Sequence, residues 1–271
     1  MASARAHGLD RLDAQLLLAH ALQRPRAWLL AHGDAALAPP EAAAFGASCR
    51  RRAEGVPVAY ILGRREFHGL LLEVDGSVLV PRPETEMLVD WALALLEGEL
   101  RARPAPTVVD LGTGSGAIAL AIRANCPRAH VWAVERSGPA LALARANAAR
   151  LALPVEFVRG DWWRALARQA PAFDLAVANP PYIAQDDPHL PALAHEPREA
   201  LVAAGNGLAD LRAIVQRAPL HLAAGAWLLM EHGWTQAGEV QQALRQAGFA
   251  DVQTRADLAG HPRCTGGRLI P

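Results

Sequence analysis

Asn179-Pro180-Pro181-Tyr182 is the segment of this sequence whose residue types point most directly at a reaction. Two consecutive prolines lock the backbone and end the strand before them. They leave the Pro180 carbonyl outside any strand ladder, so that this oxygen and the Asn179 side-chain oxygen can together accept both hydrogens of one –NH2 group. Tyr182 can cover the planar face of the group so held. An amide or aromatic amine nitrogen delocalises its lone pair and is a poor nucleophile. Fixed acceptors on its N–H bonds favour a pyramidal nitrogen and stabilise the positive charge that builds on it as a methyl group arrives. Holding the nitrogen in line with a sulfonium methyl adds a proximity contribution. The arrangement needs no metal and no covalent enzyme intermediate, the proton leaving to water or to the tetrad, and a hydride-transfer enzyme has no use for it.

A second group of residues is suited to hold the methyl donor. Gly112-Thr113-Gly114-Ser115-Gly116 follows Val108-Val109-Asp110-Leu111 and leads into a helix. Glycines allow a sharp turn and close approach to a ligand, and a helix amino end offers free N–H groups to an anion. The loop alone does not separate adenosylmethionine from a dinucleotide, because Gly112-x-Gly114-x-x-Ala117 also satisfies a dinucleotide fingerprint. Glu135 ends the next strand, where a carboxylate can accept from both ribose hydroxyls of either cofactor. Asp161 can accept from an adenine amino group and Trp162 can stack on the base.

These residues need a scaffold that brings strand ends together. From residue 107 onward, strand and helix patterns alternate. Strands are predicted at 107–111, 130–135, 155–159, 175–178 and 226–231, with a late pair near 251–254 and 268–270. Helices are predicted at 117–124, 139–150, 207–218 and 235–247. Such alternation predicts an α/β, Rossmann-like, mostly parallel sheet with helices on both faces, and ligands bind at the carboxyl ends of its strands. Residues 9–52 are rich in alanine and leucine with helical spacing, and Pro39-Pro40 opens a second helix there, so a small helical bundle is expected. Residues 67–74 and 77–80, separated by Asp75-Gly76, predict a β-hairpin turning on that pair. Pro81-Arg82-Pro83 ends it, and a helix is expected at 84–100.

Bulk composition sets bounds. The 271 residues suit one large or two modest domains, and 52% hydrophobic residues make a sizeable core easy to bury. No apolar run reaches the ~20 residues of a membrane span, and residues 1–10 lack a signal core, so a cytoplasmic protein away from membranes is expected. Cys49, Cys126 and Cys264 have no paired spacing, which argues against a disulfide framework or a zinc site. All 27 basic residues are arginine, balanced by 27 acidic ones, a charge that disfavours nonspecific duplex binding. Residues 1–80 hold nine arginines against eight acidic residues, with only Trp28, Phe45, Tyr60 and Phe67 as aromatics, which is poor material for reading DNA. His232 reads as structural, and Arg50-Arg51-Arg52 as a solvated helix end.

The tetrad on this scaffold resembles the amino-methyltransferases, a group that includes DNA adenine and protein glutamine methyltransferases. A longer resemblance is to the release factor glutamine methyltransferase family (PrmC/HemK). It is carried by Arg11-Leu12-Asp13-Ala14, Pro57-Val58-Ala59-Tyr60-Ile61-Leu62-Gly63 with Arg65-Glu66-Phe67, and Val80-Pro81-Arg82-Pro83-Glu84-Thr85-Glu86. Residues 110–120, Gly160-Asp161-Trp162, residues 179–183, Glu196-Pro197 and residues 228–234 extend it over nearly the whole chain. The Pro-Arg-Pro-Glu-Thr-Glu segment is the most specific, since DNA enzymes with the tetrad lack it. His195 departs from the family, standing where an aromatic is expected.

The resemblance implies a helical substrate-docking domain at 1–57, a hairpin linker at 58–83 and a catalytic domain at 84–271. It implies S-adenosyl-L-methionine as cofactor, held by residues 112–116, Glu135, Trp162 and Asn179. It implies peptide chain release factors as protein substrate, the glutamine of their Gly-Gly-Gln motif being held by Asn179, Pro180, Pro181 and Tyr182. No direct DNA partner is expected, and the chain is expected to be monomeric. A nucleic-acid adenine methyltransferase, a ribosomal protein glutamine methyltransferase and a nonenzymatic binding module are the alternatives.

Overall fold

The computed structural model of the chain describes residue 4 and residues 6–33, 35–166 and 170–270. Asp10 starts helix α1 (Arg11–Ala21) by accepting the Asp13 N–H at 2.8 Å. Helix α2 (Arg26–Ala31) follows. Helix α3 (Pro39–Ala53) opens on two prolines, with Glu41 accepting the Ala38 N–H at 2.9 Å, and α4 (Val58–Leu62) completes the group. Leu17, Leu18, Phe45, Cys49 and Ile61 form a hydrophobic cluster of their own among these helices, and Arg52 pairs with Asp13 at 2.6 Å across α3 and α1.

Strands β1 (Arg64–Phe67) and β2 (Leu70–Glu73) make an antiparallel hairpin. Its turn is His68-Gly69, not the expected Asp75-Gly76 pair. His68 (φ 48°) and Gly69 (φ 78°) both adopt the left-handed conformation that a tight two-residue turn needs. The cost of placing a histidine there is offset locally: its N–H donates to Glu86 at 3.0 Å and its ring meets Asp90 at 3.0 Å. Asp75 instead folds its own side chain back, accepting the Ser77 N–H at 2.9 Å. The chain therefore leaves the sheet, and Val74, Val78 and Val80 pack with Ala59 and Ala140 rather than on a partner strand.

A short turn (Pro83–Thr85) leads into α5 (Glu86–Glu97). The alternating part then runs β3 (Thr107–Leu111), α6 (Ala117–Asn125), β4 (His130–Glu135), α7 (Gly138–Leu151), β5 (Glu156–Arg159), β6 (Phe173–Ala178), α8 (Ala209–Arg217), β7 (Leu222–Glu231), α9 (Ala237–Gln246), β8 (Phe249–Ala256) and β9 (Pro262–Leu269). The seven strands lie in the order β5-β4-β3-β6-β7-β9-β8. All neighbours are parallel except β9, which is antiparallel to β7 and β8. Leu88, Trp91, Leu120 and Trp227 belong to the core on one face, and Trp163, Phe173, Ile214 and Met230 to the core on the other.

Strand order reverses between β3 and β6, which creates a crevice at their carboxyl ends. Leu111 and Ala178 are register partners, so Gly112 and Asn179 leave the sheet side by side. That pairing positions the site. Among the described residues, no helix is long and apolar enough to cross a membrane.

Candidate active site

The crevice opens into a cleft with about 910 Å³ of empty space, its mouth included. Of the residues singled out in the sequence, Gly112, Thr113, Gly114, Ser115, Glu135, Asp161, Trp162, Asn179 and Pro181 line it. Gly116, Pro180 and Tyr182 adjoin these residues in sequence but are not part of the lining. Gly116 (φ 88°) packs closely over Leu120 and Ala144 as α6 begins. Pro180 is buried, and its carbonyl accepts no backbone hydrogen bond from the described residues.

The glycine loop takes its shape from two carboxylates. Asp110, fully buried at the end of β3, accepts the Thr113 hydroxyl at 2.6 Å and the Ala119 N–H at 3.2 Å through Oδ2. Its Oδ1 has no hydrogen-bond partner among the described residues. Burial pushes the Asp110 carboxyl up to about 7, against those two hydrogen bonds, with the charge of Glu135 adding to the rise. Glu135 accepts the Gly114 N–H at 2.9 Å on one oxygen and the Ser137 N–H at 2.8 Å on the other. It thus ties the loop to the start of α7, and each oxygen keeps a second lone pair for a ligand. Asn147 on α7 holds the other side, donating to the carbonyls of Ser115 and Glu73 at 3.0 Å each.

Trp162 and Trp163 divide their work. The Trp162 ring lies over Gly112, so close that a Cβ there would sit 2.8 Å from it, and its indole N–H donates to Asp210 at 3.2 Å. Only glycine admits that approach. Trp163 is wholly buried, donating to the Ile214 carbonyl at 2.8 Å and stacking on His221. Asp161 is exposed at the cleft edge, 3.9 Å from Arg164.

On the tetrad side, the Asn179 side-chain N–H donates to the Thr85 hydroxyl at 3.2 Å, which leaves Oδ1 unclaimed by that contact. The Tyr182 hydroxyl donates to Glu231 at 3.2 Å. Burial raises the Tyr182 hydroxyl above the usual phenol range, and the charge of Glu231 adds to the rise. Glu231, the last residue of β7, is itself pushed up to about 6 by burial, while the nearby Thr85 hydroxyl, the hydrogen bond from Tyr182 and the charge of Arg263 pull it down. The Tyr182 carbonyl accepts the Gln236 side-chain N–H at 3.0 Å, and the chain beyond is fixed by Ile183 donating to Leu201 and accepting from Ala203.

Several further residues line the cleft, of which the sequence pointed only to Arg82, through the family segment that contains it. Arg82, Thr85 and Phe67 come from the hairpin and the Pro-Arg-Pro-Glu-Thr-Glu segment, and Arg136, Ser137, Pro197, Glu199 and Ala200 are also part of the wall. Glu196 locks this side: it pairs with Arg82 and accepts the Val80 N–H at 3.0 Å. The neighbouring His195 reaches the Glu54 carbonyl at 2.9 Å, joining the same loop to the end of α3. Glu86 faces away, toward the hairpin turn. His232 is fully buried between the Gly233 carbonyl (2.9 Å) and the Thr265 hydroxyl (2.7 Å), a structural role.

Comparison with known proteins gives a consistent family. The PrmC N-terminal domain family model matches residues 3–63, and the Methyltransferase small domain family model matches residues 85–210. The chain is 48% identical over 264 residues to a Release factor glutamine methyltransferase of Bordetella pertussis, covering 97% of this chain and 96% of that one. It is 48% identical over 273 residues to the protein of the same name from Burkholderia pseudomallei, covering 98% and 94%. Among solved structures, the N-terminal domain of human METTL16 in complex with SAH shares the fold, with a TM-score of 0.58 at 17% identity, over 82% of this chain and 84% of that one.

Proposed function

Because this chain belongs to the release factor glutamine methyltransferase family, a family of S-adenosylmethionine-dependent enzymes, we propose that it methylates the side-chain amide nitrogen of the glutamine in the Gly-Gly-Gln motif of peptide chain release factors. The observation that carries this reading is the register of β3 and β6, which sets the glycine loop and Asn179 in one cleft. A methyl donor held by the loop and an amide held by the tetrad would meet there.

The residues present fit S-adenosyl-L-methionine. A Cβ at Gly114 would enter open space beside the N–H groups of the loop, Trp162 offers a flat indole face over Gly112, and Glu135 keeps lone pairs for ribose hydroxyls. We assign cofactor contacts to Gly112, Thr113, Gly114, Ser115, Glu135, Asp161, Trp162 and Asn179, with Gly116 supporting the loop from behind. Bound there, the cofactor supplies an electrophilic methyl on a sulfonium. The chain's own part is to hold the amide. Asn179 Oδ1 and the Pro180 carbonyl accept its two N–H groups, Tyr182 and Pro181 cover its plane, and both acceptors gain strength as positive charge builds on nitrogen. The proton then leaves to water.

The helices of residues 1–57 would dock the release factor, residues 58–83 would link them to the catalytic residues 84–271, and the chain would work as a monomer in the cytoplasm, with no DNA partner. The test supplies purified chain with labelled S-adenosylmethionine and an unmodified release factor. Label should appear on one glutamine and vanish when that glutamine is changed to alanine. Equal labelling of the alanine variant, or labelling of nucleic acid instead, would reject the reading.

A further inference from the structure

Glu231 is a carboxylate at the carboxyl end of β7, only 2% exposed, beside the strand that carries the tetrad. Such a group is expensive to bury. Its Oε1 accepts the Tyr182 hydroxyl, and its Oε2 has no hydrogen-bond partner among the described residues. A leucine in its place would pack into the same core at lower cost, so its retention calls for a reason beyond stability.

The reason lies in hydrogen-bond direction. The Thr85 hydroxyl accepts from Asn179 at 3.2 Å and lies near enough to the Glu231 carboxylate to hold that carboxyl lower, with no hydrogen bond of normal length between the two. A hydroxyl has one proton to give. We propose that Glu231 is a positioning residue: as a carboxylate it takes the hydroxyl protons of Thr85 and Tyr182, which obliges Thr85 to accept from Asn179 Nδ2 and so turns Asn179 Oδ1 toward the nitrogen to be methylated. This rests on the reading of Asn179 as acceptor of the substrate amide. Without the carboxylate, Thr85 is free to donate to Asn179 Oδ1, the amide flips, and an N–H faces the substrate's own N–H groups.

The same chain of bonds gives Thr85 its task, and it explains why the segment containing Thr85 lies against the tetrad. The relay also sets a pH dependence. Besides Tyr182 and Thr85, the charged and titratable groups facing Glu231 are Glu84 on the turn before α5 and Arg263 and Cys264 on β9. Burial outweighs them and puts the carboxyl at about 6. Protonation below that value turns Glu231 into a donor and releases the relay, so the transfer rate should fall on the acid side while cofactor affinity holds.

The experiment compares the wild-type chain with Glu231→Gln, Thr85→Val and Thr85→Ser. Single-turnover methyl transfer to a release factor and calorimetric affinity for S-adenosylmethionine are measured from below to above pH 6. Glu231→Gln and Thr85→Val should each lose about tenfold or more in transfer rate, the scale of one misdirected transition-state hydrogen bond. Cofactor affinity should stay near wild type, and Glu231→Gln should lose the acid limb. Thr85→Ser should retain the wild-type rate and limb. A Glu231→Gln variant with wild-type rate and limb, or a Thr85→Val variant at wild-type rate, would overturn the relay. Failure of the functional reading is seen separately, as no glutamine labelling by the wild-type chain, and it removes the relay as well.

Discussion

In the proposed function Asn179 is where cofactor cleft and substrate amide meet, and that role carries a direct prediction. Asn179→Ala removes one of two fixed acceptors, and the comparable loss of an oxyanion donor costs about 2–4 kcal/mol of transition-state stabilisation. Single-turnover rates should fall accordingly, and a near-normal turnover number would refute the role. Asp110 makes a different prediction. Its folded carboxyl titrates near 7, above the ~3.9 of an unfolded aspartate. The folded chain therefore binds the proton more tightly, and this group's contribution to stability is present below pH ~4 and lost as pH rises through about 7. Asp110→Asn should flatten that part of the curve of unfolding free energy against pH, with a relative gain at neutral pH of up to about 4 kcal/mol. Parallel curves for variant and wild type would contradict it. At this scale the sequence announced Gly112, Glu135, Trp162 and Asn179 because each lies at a strand end in a recognisable string. It placed Thr85 and Glu231 only inside matching segments and gave them no site role, because their contacts reach Asn179, 94 residues from Thr85, and Tyr182, 49 residues from Glu231.

Among the elements, β3 and β4 have the bounds that hydrophobic runs and flanking glycines predict, and the parallel order follows from strand–helix alternation. The hairpin is the exception. Asp75-Gly76 carries the stronger turn pattern, yet His68-Gly69 makes the turn, because Glu86 and Asp90 on α5 hold the histidine in place. A tertiary contact outweighed a local propensity. The tetrad's own support is equally tertiary. Gly207 has φ 81°, and a Cβ there would lie 2.0 Å from the Tyr182 carbonyl oxygen. Gly207→Ala should displace the tetrad backbone, costing at least the ~1–3 kcal/mol of ordinary overpacking and slowing transfer more than it weakens cofactor binding. Urea unfolding and transfer rates together check this, and a variant matching wild type in both would contradict it.

At the scale of the molecule, the helices of the first 62 residues keep their own hydrophobic cluster and reach the catalytic part through few polar ties. His195 reaches the Glu54 carbonyl at 2.9 Å, while Tyr60 donates to the Val78 carbonyl beyond the hairpin and Asn147 of the catalytic part brackets the backbone of Glu73 in the hairpin. The histidine that breaks the family pattern thus has work of its own, packing against Gly55 at the end of α3. The change from helical alanine-leucine periodicity to strand–helix alternation was readable in the sequence, but these ties were not, since each joins residues apart in sequence. The arrangement sets one cleft between the glycine loop and the start of the Asn179–Tyr182 tetrad. The central claim, that this cleft methylates a release factor glutamine, is tested most directly by intact-mass measurement and peptide mapping of an unmodified release factor after incubation with the chain and S-adenosylmethionine. The account predicts a gain of one methyl group, confined to the glutamine of the Gly-Gly-Gln motif. An unchanged mass, or a methyl group mapped to any other residue, would contradict it.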